Sequence, residues 1–223
     1  MRKCPDALAE TLPLWQVAAL MSAAQQFTIR PARVSDAAAL ARIYNVSVLH
    51  SVATFQTSHE TETRRREWLL TRSTFHPAFV AETLDGAVMG WGALSPYCLN
   101  GAWSHTVEDS IYLDAIAQRQ GLGARLLARL ITTARTVGHR IILARIVAGH
   151  SASIGLHAKL GFSEVGRLRN VGYKFDQWHD VVYMQLDLGV PPAMHPKTSS
   201  EKSFCAGGKH EGSSHTDTPP ILR

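Results

Sequence analysis

The stretch from Thr106 to Val137 constrains this chain more than any other. A strand over Thr106 to Leu113 is followed by the polar stretch Asp114 to Gln120. A helix over Gly121 to Val137 comes next, with Leu122, Leu126, Leu127, Leu130, Ile131 and Ala134 on one apolar stripe and Gly138 as its stop. The joint between strand and helix reads Gln118-Arg119-Gln120-Gly121-Leu122-Gly123-Ala124. Its two glycines let the backbone approach a ligand closely, and successive N–H groups at a helix N-terminus form an anion cradle reinforced by the helix dipole. A pyrophosphate fits such a cradle; a tight strand-to-helix turn without a ligand is the other reading of the same residues. The nucleoside triphosphate and dinucleotide versions are excluded, because no Gly-Lys-Ser/Thr follows and no third glycine completes G-x-G-x-x-G.

On either side of this joint, helices and strands alternate. Phe27 to Pro31 is a short strand, and Ser35 is the expected cap of a helix burying Ala39, Leu40, Ile43 and Tyr44. A second helix fits Glu62 to Arg72, with Trp68 and Leu69 inward and Arg64-Arg65-Arg66 mostly solvated. Asp85-Gly86 sits between Phe79–Glu82 and Val88–Ala93 as a hairpin turn. Arg140 to Val147 is an apolar, β-branched strand, Ser151 or Ser153 opens a helix ending at Gly161, and Glu164–Lys174 and His179–Leu188 are closing strands. The expected class is α/β (α+β), one domain over residues 26–190. Residues 1–25 form an N-terminal extension with Met21 as a second candidate start. Residues 191–223 are rich in Pro, Ser, Gly and Lys, lack apolar periodicity, and are expected to be a disordered tail.

Several function classes are set aside by composition. No uninterrupted apolar run of about 20 residues exists, so a membrane span is not expected. Cys4, Cys98 and Cys205 are scattered without Cys-x-x-Cys spacing, and no two of the 11 histidines stand three or four apart. A reducing, cytoplasmic setting and no metal site are therefore expected. The net charge of +5 is spread thinly, which argues against nucleic acid while leaving a phosphorylated cofactor open.

The turn at Gln118, Gly121 and Gly123 resembles the central motif of the GNAT superfamily of N-acetyltransferases, Gln/Arg-x-x-Gly-x-Gly/Ala, and the order of elements agrees. Within it the chain resembles the phosphinothricin and methionine sulfoximine N-acetyltransferases through Thr106-Val107-Glu108, Tyr112, Ser153 to Phe162, Val165-Gly166-Arg167, Gly172-Tyr173-Lys174 and Trp178-His179-Asp180. The resemblance covers residues 27 to 188. It implies a mixed, mostly antiparallel sheet of about seven strands, splayed at the cofactor cleft and flanked by about four helices. Acetyl-CoA would lie between the strands Thr106–Leu113 and Arg140–Val147. Backbone groups of Ile111, Tyr112 and Leu113 would meet the pantetheine, and the turn Gln118, Arg119, Gln120, Gly121, Leu122, Gly123 and Ala124, together with Ser153, would hold the rest. Arg125 is a candidate for added charge. The family usually has asparagine where this chain has His150.

Acyl transfer to an amine needs a base for the amine's extra proton. The resemblance assigns Glu108 as general base and His157 as its active-site partner. On the strand, Glu108, Ser110 and Tyr112 share one face. For His157, a satisfied core histidine is the alternative reading. The resemblance also puts Phe55, Tyr97 and Lys174 on the acceptor side. Relatives carry arginine or lysine in the loop before Thr-Val-Glu, but residues 97–105 here hold neither, leaving Lys174 or a second subunit's arginine as the replacement cation. Trp91, Trp103 and Trp178 read either as pocket walls or as core. The expected partners are a small-molecule primary amine of the phosphinothricin, methionine sulfoximine or sulfone type and a second copy in a homodimer. A GNAT enzyme acting on another amine and a noncatalytic acetyl-CoA-binding module are the alternatives.

Overall fold

The computed structural model describes residues 27–189; the expected N-terminal extension, the start at Met21 and the C-terminal tail lie outside them. The elements are β1 (Thr28–Pro31), α1 (Ala37–His50), α2 (Glu62–Leu70), β2 (Ala78–Glu82), β3 (Val88–Pro96), β4 (Thr106–Leu113), α3 (Leu122–Val137), β5 (Ile141–Val147), α4 (Ser151–Lys159), β6 (Ser163–Lys174) and β7 (Gln177–Asp187). The seven strands form one sheet in the order β1-β2-β3-β4-β5-β7-β6. Only β4 and β5 run parallel; every other neighbouring pair is antiparallel. The expected class, sheet and helix number are borne out.

Each face of the sheet has its own core. The α3 stripe, Leu122, Leu126, Leu127, Leu130, Ile131 and Ala134, packs against Phe79, Ala81, Leu94, Val107, Ile142 and Ala144. On the other face Leu40, Ile43 and Tyr44 of α1 and Leu69 of α2 cover Val80, Trp91 and Ala93. The chain therefore presents alternate residues of β3 and β4 to two different helical layers.

Three local expectations are corrected. Ser35 is exposed; the turn into α1 is closed instead by buried Asp36, whose carboxylate accepts the Arg33 N–H at 2.7 Å and the Arg30 guanidinium at 2.7 Å. His150, not a serine, caps α4, its Nδ1 accepting the Ser153 N–H at 3.2 Å. Arg65 is not solvated, although Arg64 and Arg66 are. Its guanidinium lies 4.9, 4.8 and 4.9 Å from the ring centres of Tyr44, Trp68 and Trp91, with Glu60 at 3.1 Å. The aromatic faces and the carboxylate offset the cost of removing this charge from water.

Candidate active site

The parallel ladder between β4 and β5 is short. It pairs Thr106 with Ile141, Val107 with Ile142 and Glu108 with Leu143, and there it ends. Beyond Glu108, β4 continues against β3 as far as Gly90↔Leu113, and β5 continues against β7 as far as Val147↔Val181. The two strands diverge, so the β5-facing backbone of β4 from Asp109 through Ile111, Tyr112 and Leu113 has no strand partner. Unpaired backbone groups at such a splay are ready acceptors and donors for an amide-bearing ligand.

The turn Gln118 to Ala124 follows β4 at the open side of the splay. Arg119 and Gly121 both have positive φ, 60° and 75°, and Gly121 is the N-cap of α3. Among the described residues no side chain caps this 16-residue helix. Its first ladder bond is Arg125 N–H to Gly121 O at 3.1 Å, so the N–H groups of Leu122, Gly123 and Ala124 precede the ladder. Gly123 is buried, and a Cβ there would stand 3.3 Å from the Leu156 side chain of α4. Gln120 Nε2 donates to the Ile116 carbonyl at 2.8 Å, which stiffens the turn. The Arg125 guanidinium donates to the Phe27 carbonyl at 2.6 Å and ties α3 to the approach to β1. Ser153 lies in the first turn of α4, its N–H held by His150 and its carbonyl by His157.

Glu108 is the last β4 residue in the β5 ladder. Its side chain shares a face with Ser110 and Tyr112, beneath α1 and α2, and Ser95 is its partner across β3. Arg145 Nε donates to Glu108 Oε1 at 2.7 Å, while Oε2 has no hydrogen-bond partner among the described residues. Burial pushes the Glu108 carboxyl above the usual range, and Arg145 opposes that rise without cancelling it. A carboxylate held slightly reluctant to ionise, with one free oxygen at a strand splay, has the properties of a proton acceptor.

His157 does not meet Glu108. Its Nε2 is 3.1 Å from Oδ2 of Asp109, the next residue along β4, which points to the opposite face. His157 Nδ1 must carry a proton, since its partner at 2.7 Å is the Ser153 carbonyl, which only accepts. The His157 and Asp109 side chains are 5% and 2% exposed, so the pair is sealed from water. Burial draws the His157 pKa down, yet the Asp109 contact more than compensates and the net direction is up.

On the acceptor side, Lys174 is buried with its Nζ donating to the carbonyls of Ser47 at 3.2 Å, Ser51 at 2.7 Å and Thr54 at 2.8 Å. All three donors are occupied, so the residue fastens the end of α1 and is not the replacement cation. Phe55 packs over Gly172 so closely that a Cβ at Gly172 would overlap its ring, and its ring centre is 6.1 Å from that of His179. Tyr97 is on the surface beside Trp103, ring centres 5.3 Å apart. Trp91 is core, whereas Trp103 and Trp178 are exposed. Among the described residues no group of three His, Cys, Asp or Glu side chains could hold a metal ion, and no helix is long and apolar enough to cross a membrane.

The family model for the acetyltransferase (GNAT) domain matches residues 29–183. The chain belongs to the GNAT acetyltransferase family. The L-methionine sulfoximine/L-methionine sulfone acetyltransferase of Salmonella typhimurium is 37% identical over 162 residues, 72% of this chain and 94% of that relative. The phosphinothricin N-acetyltransferase of Streptomyces viridochromogenes is 34% identical over 171 residues, 75% of this chain and 91% of the relative. Among solved structures, a GNAT phosphinothricin acetyltransferase from Sinorhizobium meliloti in complex with acetyl-CoA superposes with a TM-score of 0.72 at 33% identity, covering 78% of this chain and 94% of that one. This GNAT protein is an acetyl-CoA-dependent N-acetyltransferase. The splayed strands, the uncapped α3 terminus and Gly121, whose Cβ position meets nothing within 4 Å, fit such a ligand, since each leaves backbone groups or space where a side chain would stand.

Asp109 and Arg145 were missed by sequence reasoning. Asp109 had a usable signal: an acid beside Val107 on the face opposite Glu108 sits in an apolar layer and requires a partner. Arg145 interrupts the apolar run of β5, and period-two alternation places it on the Glu108 face.

Proposed function

We propose that this GNAT enzyme acetylates the primary amine of a small amino-acid-like substrate of the phosphinothricin, methionine sulfoximine or methionine sulfone type, with Glu108 as general base. The observation that carries the reading is Glu108 itself: half-sequestered, raised in pKa by burial, one oxygen held by Arg145 and the other free, at the residue where β4 and β5 part. Acetyl-CoA supplies the acetyl group as a thioester, whose C–S bond breaks as the amine nitrogen bonds the carbonyl carbon. Glu108 Oε2 takes the proton that the amine sheds. The unpaired β4 backbone at Ile111, Tyr112 and Leu113 orients the acetyl arm and offers an N–H to the developing oxyanion. The N–H groups from Arg119 to Ala124, at the positive end of α3, hold the pyrophosphate. His157 acts through Asp109 and the first turn of α4 as a positioning residue.

The names of the relatives supply the substrate class. Incubation with acetyl-CoA and a panel of phosphinothricin, methionine sulfoximine, methionine sulfone, ordinary amino acids and polyamines, following thiol release and product mass, tests it. Release with the first three is expected; release with polyamines alone overturns the substrate, and binding of acetyl-CoA with no release on any amine overturns the enzyme reading. The proposed catalytic domain spans residues 26–190, in a cytoplasmic protein. A homodimer is part of the same proposal. Edge strand β6 and the hairpin it forms with β7 expose Val165, Leu168, Val171, Tyr173, Phe175 and Trp178, an apolar surface that a second copy would cover. Sedimentation as a monomer at assay concentration would remove it.

A further inference from the structure

We infer that Arg72 holds the carboxylate of the amine substrate, so that the enzyme selects anionic amino acids over neutral amines of the same shape. The inference rests on the acetyl-transfer reading above and extends it to the group that recognises the acceptor. Three of the cations at the α1–α2 face of the sheet have partners of their own. Arg145 is paired with Glu108 at 2.7 Å, Arg65 with Glu60 at 3.1 Å, and Lys174 gives its three donors to carbonyls. Arg72 has no carboxylate within ion-pair distance among the described residues.

Its geometry is that of a held but incompletely used fork. Arg72 follows α2, and its guanidinium lies 4.2 Å from the ring centre of Trp68, which fixes the plane. Nη1 donates to the Leu94 carbonyl at 3.0 Å and lies 3.4 Å from Ser95 Oγ. Nε, by contrast, is buried without any acceptor among the described residues, and Nη2 makes no hydrogen bond among them. Nε and Nη2 lie on one edge of the guanidinium, the edge that grips a carboxylate with two parallel bonds. A buried donor left without an acceptor is uncommon in a folded chain; Arg65 Nε is another on this face, but Arg65 already holds Glu60, whereas Arg72 holds no carboxylate among the described residues.

Position decides what that partner is. Ser95, which Nη1 approaches, is the register partner of Glu108 across β3 and β4, and the two side chains share a face. Directly opposed residues in an antiparallel pair have Cβ atoms about 5 Å apart. In an α-amino acid the amine and the carboxylate hang on the same carbon, so the cation that holds the carboxylate must stand beside the base that serves the amine. Arg72 Nη1 lies 3.4 Å from the hydroxyl of Ser95, and Ser95 is the cross-strand partner of Glu108. Arg72 also replaces the basic residue absent from the loop 97–105, a role that Lys174 cannot fill.

The test compares methionine sulfone with its neutral carboxamide on the wild-type enzyme and on Arg72→Gln, which keeps amide donors for the Leu94 carbonyl. Wild type is expected to prefer the acid, and the acid-to-amide ratio of kcat/KM is expected to fall roughly tenfold to a hundredfold in Arg72→Gln, the loss of one charged contact. The ratio does not depend on how much enzyme is folded, so a purely structural role would leave it unchanged, and that result overturns the inference. A wild-type enzyme that prefers the carboxamide overturns it too while leaving acetyl transfer intact. Inactivity on both compounds, with release on an unrelated amine, overturns the substrate reading and this inference together.

Discussion

Glu108 and Asp109 are consecutive carboxylates on one strand, yet they live in different chemistry. Glu108 faces the α1–α2 layer, is paired with half-exposed Arg145, and keeps one oxygen free. Asp109 faces the α3 layer, is sealed with His157, and has an orphan Oδ1. Strand alternation alone separates them. A proton acceptor must be reachable and only moderately costly to ionise, whereas an acid in a core serves to hold something in place. The parting of β4 and β5 falls between the two residues, so Glu108 faces the proposed site and Asp109 fastens α4 to β4 behind it.

The largest expected contrast is in turnover. Glu108→Gln should lower kcat by about 10²- to 10⁴-fold, the range for a lost general base, with the dissociation constant for acetyl-CoA nearly unchanged. Steady-state rates and calorimetric binding would check this, and unaltered kcat would remove Glu108 from the chemistry. Asp109→Ala should do the reverse. Breaking a buried pair typically costs 3–5 kcal/mol, and the cost here should be about 3 kcal/mol because the imidazole can shed its charge. Urea unfolding would measure the loss. If the folded fraction instead shows a kcat drop matching that of Glu108→Gln with no loss of stability, the two faces are not divided as described.

That division was only half legible in the sequence. The apolar stripe of α3 and the bounds of β4 were readable because period and glycine punctuation dominate there: Leu122, Leu126 and Leu130 bury as their spacing requires, and Gly138 ends the helix with φ 89°. The placement of Glu108 with Ser110 and Tyr112 followed from alternation. The assignment of His157 to Glu108 had no such support, because a contact between α4 and β4 depends on how a helix rolls against a sheet, which no local period encodes. Arg65 and Lys174 failed for a related reason. Arg65 reads as solvated and Lys174 as a cation of the acceptor side, because the three aromatic rings around one and the three carbonyls around the other come from separate elements.

A smaller effect distinguishes the faces by pH. The folded pKa of His157 is raised, so the pair's contribution to stability is fully present below the unfolded value near 6.5 and is lost as pH rises through the folded one. Activity should run the other way. Glu108 must be ionised to accept a proton, so kcat/KM should fall as pH drops through its raised pKa. Urea midpoints of wild type minus those of Asp109→Asn, taken between about pH 5 and 9, isolate the first slope. A difference that grows with pH would mean that His157 is held neutral in the fold.

The subtlest expected change concerns Arg145. Its ion pair with Glu108 is half-exposed on the arginine side, so Arg145→Met should alter stability by less than about 1 kcal/mol. The same arginine restrains the rise in the Glu108 pKa, through a hydrogen bond and through charge. Removing it should therefore move the acidic limb of the kcat/KM profile to higher pH while the stability profile set by His157 and Asp109 stays where it was. A limb that does not move would show that the group titrating in the rate is not Glu108. A shift in both profiles would show that β4 transmits charge between its faces more strongly than side chains pointing in opposite directions should.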